Sequence, residues 1–201
     1  MKLRLGFLAS HAGSNVQAIL DACREGRLEA EPRVVISNNS DAMVLDRAMD
    51  ARIPAFHLSL HIHPDPDRLD EAILAVLEEH EVNLIVLAGY MKKLGPRTLA
   101  RYRGRVLNIH PALLPKFGGQ GMYGKNVHEA VLASGEKETG ATIHLVDEEY
   151  DRGKILAQKK IPVMPSDTAE TLSARVLQVE HQLYVETLHR IASGDLKIEG
   201  L

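Results

Sequence analysis

Two rhythms of apolar residues alternate along this chain. Leu3–Ser10 is a short apolar run that reads as a buried strand. Val16, Ile19, Leu20 and Cys23 then recur at helical spacing, with Ser14 placed to cap the helix and Gly26 to stop it. Arg33–Ser37 reads as a strand, and Asp41 as the cap of a helix through Met43, Val44, Leu45, Ala48 and Met49. Ala55–Leu58 is a third strand, followed by helical spacing at Leu69, Ile73, Val76 and Leu77. Asn83–Ala88 is nearly all apolar, the pattern of a strand covered on both faces. Arg105–His110 is a fifth strand. A loop with Gly118, Gly119, Gly121 and Gly124 precedes a helix marked by Val127, Val131 and Leu132, ending near Gly135. Thr139–Val146 and Ile155–Pro162 read as strands joined by a turn around Asp151, Arg152 and Gly153. A long helix closes the pattern, capped near Ser166 or Asp167 and carrying Leu172, Val176, Val179, Leu183 and Leu188.

Strand–helix alternation requires parallel strands with right-handed crossovers. The connection between the last two strands is too short for a crossover, so that pair is antiparallel. The expected fold is α/β: an open, mostly parallel Rossmann-like sheet with helices on both faces and one antiparallel strand. No internal repeat or linker interrupts it. One domain over residues 1–201 is expected, with a phosphate- or nucleotide-binding half at about 1–100 and a catalytic and folate-binding half at about 101–201.

Composition narrows the class. The 201 residues are 45% hydrophobic, enough for a packed core. The longest apolar stretch, Leu84–Met91, is far too short to span a membrane. The start of the chain lacks the order of a signal peptide. One cysteine, Cys23, rules out an intrachain disulfide and fits a reducing, cytoplasmic setting. A net charge of −3 disfavours a protein dominated by nucleic-acid contacts.

Several segments carry candidate chemistry. The turn through Gly13, Ser14 and Asn15 follows the first strand and opens a helix, where free backbone N–H groups attract anions. The same residues equally suit an ordinary helix cap, and they match neither a P-loop nor a dinucleotide fingerprint. In Leu107-Asn108-Ile109-His110-Pro111, alternation puts Asn108 and His110 on one strand face. Pro111 ends the pairing, so both side chains sit at a C-terminal strand edge, where open α/β sheets bind ligands. An amide N–H and an imidazole there can stabilise an oxyanion and move a proton, or simply face water. A carboxylate beside His110 would orient it and raise its pKa. Asp147 and Asp151 both qualify, within four acids in five residues. Ten histidines raise the question of metal, but His57, His61 and His63 lie without a second ligand cluster, and no metal is expected. Cys23 sits on an apolar helix face and G-x-S-x-G is missing, so no covalent intermediate is suggested.

The chain resembles the phosphoribosylglycinamide formyltransferases, folate-dependent enzymes of purine synthesis. The resemblance runs from the first strand to the last helix. It rests on Asn108-Ile109-His110-Pro111-Ala112-Leu113-Leu114-Pro115, on Gly140-Ala141-Thr142-Ile143-His144 and on Asp147–Gly153. It implies formyl transfer from 10-formyltetrahydrofolate to the amine of glycinamide ribonucleotide, by direct attack through a tetrahedral intermediate. Asn108, His110 and Asp151 would be catalytic, with Asp151 holding His110 and organising a water. Gly13, Ser14, Asn15 and Glu180 would bind the acceptor. Met91, Lys92, Leu94, Asn108, Val146, Asp147 and Asp151 would border the folate. Lys92 stands where an arginine is common, and Arg68 is only a candidate for the family's folate-contacting arginine. The glycine-rich loop Phe117–Asn126 is expected to be a flap over the acceptor. The implied protein is a cytoplasmic monomer or homodimer that uses small-molecule substrates, with no nucleic acid and no membrane. A formyltetrahydrofolate hydrolase, or transfer to another amine, is the competing enzyme reading. Hydrolases usually add an N-terminal regulatory domain, and methionyl-tRNA formyltransferases a C-terminal one; neither is expected here. A non-catalytic phosphate- or nucleotide-binding module on the same fold is the remaining alternative.

Overall fold

The computed structural model describes residues 2–201. Its strands are β1 (Leu3–Leu8), β2 (Ala30–Ser37), β3 (Ala55–His57), β4 (Leu84–Leu87), β5 (Val106–His110), β6 (Glu138–Leu145) and β7 (Ile155–Pro162). They form one sheet in the order β3-β2-β1-β4-β5-β6-β7. The pairs from β3 to β5 are parallel, whereas β6 is antiparallel to both β5 and β7. A single strand, β6, therefore runs against the rest, as the short β6–β7 connection requires.

The helices are α1 (Ser14–Arg24), α2 (Met43–Asp50), α3 (Pro66–Glu79), α4 (Pro96–Arg101), α5 (Lys125–Ala133) and α6 (Ala169–Ala192). Alternation along β4 splits the core in two. Leu84 and Val86 pack with α1, α2, α5 and α6, and Ile85 and Leu87 pack with Ile73 and Leu77 of α3 and with Tyr102. Both faces are thus sealed, and ligands are left the sheet's C-terminal edge.

The helix starts differ from the sequence reading at three points. Ser14 is the first helical residue of α1, and the N-cap is Gly13, in the left-handed region at φ 65°. A Cβ there would collide with the Val44 side chain, so the turn is pressed against α2. Asp41 does not cap α2; Ala42 holds that position with no side-chain bond. Thr168 caps α6 in a reciprocal box with Thr171, in place of Ser166 or Asp167. Asp167 instead accepts from the Met164 N–H at 2.8 Å and pairs with Arg175 at 2.6 Å. One helix, α4, was not anticipated. It has six residues and only Thr98 is buried, so it leaves no periodic signal. Asp70 of α3 anchors its first turn, accepting from the Arg97 N–H at 2.7 Å and the Thr98 N–H at 3.2 Å.

Candidate active site

β5 ends at His110, and Asn108 and His110 lie in its last three residues, toward the C-terminal edge of the sheet. In the antiparallel register Asn108 lies opposite His144, and His110 opposite Thr142. Direct cross-strand partners share a face, so β6 brings a second imidazole to Asn108. His144 Nδ1 lies 2.9 Å from the Leu145 carbonyl oxygen, which places a hydrogen on Nδ1. Nε2 is then free to accept from the Asn108 amide nitrogen at 3.1 Å. This contact fixes which end of the Asn108 amide is nitrogen and leaves its second N–H for a ligand.

His110 is almost fully buried, with its Nε2 2.7 Å from the Phe117 carbonyl oxygen and its Nδ1 3.6 Å from Asp151 Oδ2. The carbonyl can only accept, so Nε2 carries the hydrogen. Burial lowers the His110 pKa below its ordinary 6.5, and the nearby His144 adds to this; Asp151 and the Phe117 carbonyl oppose it without prevailing. Burial thus favours the neutral imidazole, and Nδ1 is the nitrogen turned toward the Asp151 carboxylate.

Asp151 sits at φ 55° in the β6–β7 turn. Its Oδ2 accepts from the Gly119 N–H at 2.9 Å, and its Oδ1 lies 3.5 Å from His144 Nε2. Burial alone would raise its pKa. The Gly119 hydrogen bond and the two imidazoles beside it outweigh that and hold it below 3.8. Asp147 points elsewhere, accepting from the Glu149 N–H at 2.9 Å within its own turn. Geometry thus separates two acids that composition leaves equivalent.

Two cavities meet at this cluster. One, of about 320 Å³, has apolar walls from Leu87, Leu94, Leu99 and Val146 and a polar rim from the turn Asp147–Asp151. Lys92, Leu94, Asn108, Val146, Asp147 and Asp151 all line it; Met91 does not, and faces the second cavity. That second cavity, of about 530 Å³, is bounded by Asn15, His110, His128, Glu180 and the loop Gly119–Gly124. Asn108 and Asp151 line both. Gly13 and Ser14 lie outside the lining, at the uncapped N-terminus of α1. A third cavity, of about 670 Å³, is lined by His57, His61 and Leu69 among others and does not reach Asn108 or His110. Arg68 lines none of the three; it is exposed and pairs with Glu71 at 2.9 Å.

Asn15 and Glu180 are joined in the second cavity, where the Asn15 amide donates to Glu180 Oε2 at 2.7 Å. Burial pushes the Glu180 pKa up to about 7, against the lowering effect of that bond. Asn15 Oδ1 is buried without a partner. Among the described residues no group of three or more His, Cys, Asp or Glu is placed to hold a metal ion. Nor is any helix long and apolar enough to cross a membrane.

A profile of the formyl transferase family matches residues 3–188. The chain belongs to the formyl transferase family. Among its relatives, the phosphoribosylglycinamide formyltransferase of Haemophilus influenzae is 39% identical over 196 residues, covering 98% of this chain and 90% of that protein. The chloroplastic phosphoribosylglycinamide formyltransferase of Vigna unguiculata is 42% identical over 189 residues; the match covers 94% of this chain but only 60% of the plant protein's length. The crystal structure of glycinamide ribonucleotide transformylase 1 from Symbiobacterium toebii superposes with a TM-score of 0.91 at 40% identity, covering 99% of this chain and 92% of that one. In this formyl transferase, the residue that sequence reasoning passed over is His144. It ends the segment Gly140-Ala141-Thr142-Ile143-His144, and its role emerges only from the β5–β6 register. Strand alternation alone puts His144 on the same face of β6 as Thr142; that this is the Asn108 face depends on the β5–β6 pairing.

Proposed function

We propose that this formyl transferase moves the formyl group of 10-formyltetrahydrofolate to the amine of glycinamide ribonucleotide, in cytoplasmic purine synthesis. The observation that carries this reading is the junction of two cavities at Asn108 and Asp151. Direct transfer between two substrates needs such a junction, because the reacting atoms must approach to about 3–3.5 Å. The smaller cavity, apolar-walled with a polar turn, suits the flat heteroaromatic ring of the folate. The larger one suits the acceptor, with Asn15 and Glu180 at its base and the uncapped first turn of α1 available to a phosphate. In the single domain the half at about 1–100 offers the α1 turn to the phosphate and the half at about 101–201 supplies Asn108, His110 and Asp151, while residues of both halves line both cavities.

The amine nitrogen attacks the formyl carbon, and the carbonyl electron pair moves onto oxygen. The second N–H of Asn108, fixed by His144, donates to that oxyanion. The nitrogen that attacked must lose a proton and the departing folate nitrogen must gain one. The Asp151 carboxylate, with His110 beside it, is placed to organise a water for this transfer. The bond from the formyl carbon to the folate nitrogen then breaks, leaving the N-formylated ribonucleotide and tetrahydrofolate. His110 joins the oxyanion through Nε2 once the Phe117 carbonyl lets go, which gives the glycine-rich loop a part in assembling the site. No step requires a metal.

The test is deformylation of 10-formyl-5,8-dideazafolate followed by absorbance, with and without glycinamide ribonucleotide. Turnover only with the ribonucleotide is expected. Equal turnover without it would replace transfer by hydrolysis. No turnover with either this analogue or 10-formyltetrahydrofolate would refute the reading.

A further inference from the structure

His128 is used by none of the steps above. It lies on α5, and only 3% of its surface is exposed. Its Nδ1 is sealed from solvent without a hydrogen-bond partner. The ring nevertheless lines the larger cavity, together with His110, Asn15, Glu180 and the loop glycines. It does not line the smaller, apolar-walled cavity. A buried imidazole with one orphaned nitrogen is unusual, because buried polar groups are normally paired. Protonating Nδ1 would bury an N–H with no acceptor. Burial, with His110 close by, likewise holds the His128 pKa below its ordinary 6.5. The neutral ring therefore keeps its hydrogen on Nε2. The same cavity holds acceptors in the Glu180 carboxyl and the orphaned Asn15 Oδ1. An imidazole lining one cavity with the Glu180 carboxyl and the Asn15 amide suits a ligand that carries both oxygens and N–H or O–H groups.

We infer that His128 is an acceptor-binding residue whose Nε2–H donates to an oxygen of the amine substrate. The inference rests on the proposed acceptor, glycinamide ribonucleotide, which carries such oxygens. It assigns His128 to binding of one substrate, not to the formyl donor and not to the oxyanion.

The experiment measures KM for both substrates in the wild type, His128→Leu and His128→Gln. Losing one neutral hydrogen bond should raise the acceptor KM about tenfold in the Leu variant. The donor KM should hold steady. Gln places an amide nitrogen near the Nε2 position and should recover most of the loss. The Leu variant should melt no lower than the wild type, because it removes an unpartnered buried nitrogen. An unchanged acceptor KM in a folded Leu variant would overturn the inference. Equal impairment of Leu and Gln would also overturn it, by showing a packing role. A wild type that does not turn over the ribonucleotide would refute the acceptor reading itself, before any variant is compared.

Discussion

Replacing Glu180 by Gln separates the demands of binding from those of folding. The Glu180 carboxyl is buried in the larger cavity, and burial raises its pKa from 4.5 to about 7. At about 1.4 kcal/mol per pH unit between those values, keeping it ionised in the native state costs about 3 kcal/mol. The sign follows from which state binds the proton more tightly. Below pH 4.5 the carboxyl is protonated whether the chain is folded or not, and the penalty is absent. Between 4.5 and about 7 the unfolded chain releases the proton while the folded one holds it, so stability falls as pH rises. Above about 7 the folded state releases it too, and the full penalty remains. Gln is isosteric, cannot ionise and still offers an oxygen to the Asn15 amide. The Glu180→Gln variant should therefore match the wild type at pH 4.5. At pH 8 it should be more stable by about 3 kcal/mol, or roughly 6–12 °C in Tm for a chain of this size. Its affinity for the acceptor should fall. Urea unfolding of both proteins across that pH range measures the difference directly. A gap that stays constant with pH would refute the reasoning.

Asp151→Asn should lower kcat by about 10²-fold, on the scale of a lost catalytic group. It should also move the His110 titration, followed by NMR, to lower pH, because the Asp151 charge raises that pKa; an upward move would contradict the geometry. Gly13→Ala should destabilise the fold by about 1–3 kcal/mol, since it combines a left-handed φ with a Cβ pressed on Val44. An unchanged Tm would show that the start of α1 is not locked against α2.

Much of the architecture was legible because both faces of the sheet are covered. The unbroken apolar run of β4 and the short β6–β7 link leave little topological choice. Asn108 and His110 were legible from alternation and from Pro111 ending the strand. What the sequence left open was set by contacts distant along the chain. Asp151 is distinguished from Asp147 by the Gly119 N–H and two histidines, all outside its own turn. The amide orientation of Asn108 depends on His144, 36 positions later. α4 is held by Asp70 on another helix and carries no periodicity of its own. The α6 cap was misplaced because Ser166, Asp167 and Thr168 are all good caps and local pattern does not rank them, whereas Gly13 and Ala42 cap α1 and α2 with no side-chain bond for a sequence to signal.

The central claim is that Asn108 stabilises charge in the transition state at the meeting point of two substrate cavities. The measurement is single-turnover formyl transfer by Asn108→Ala, with both substrate affinities determined by calorimetry. The account predicts intact folding, acceptor affinity within about twofold of the wild type and turnover slowed by about 10²-fold or more. Near-normal turnover in the folded variant would contradict it.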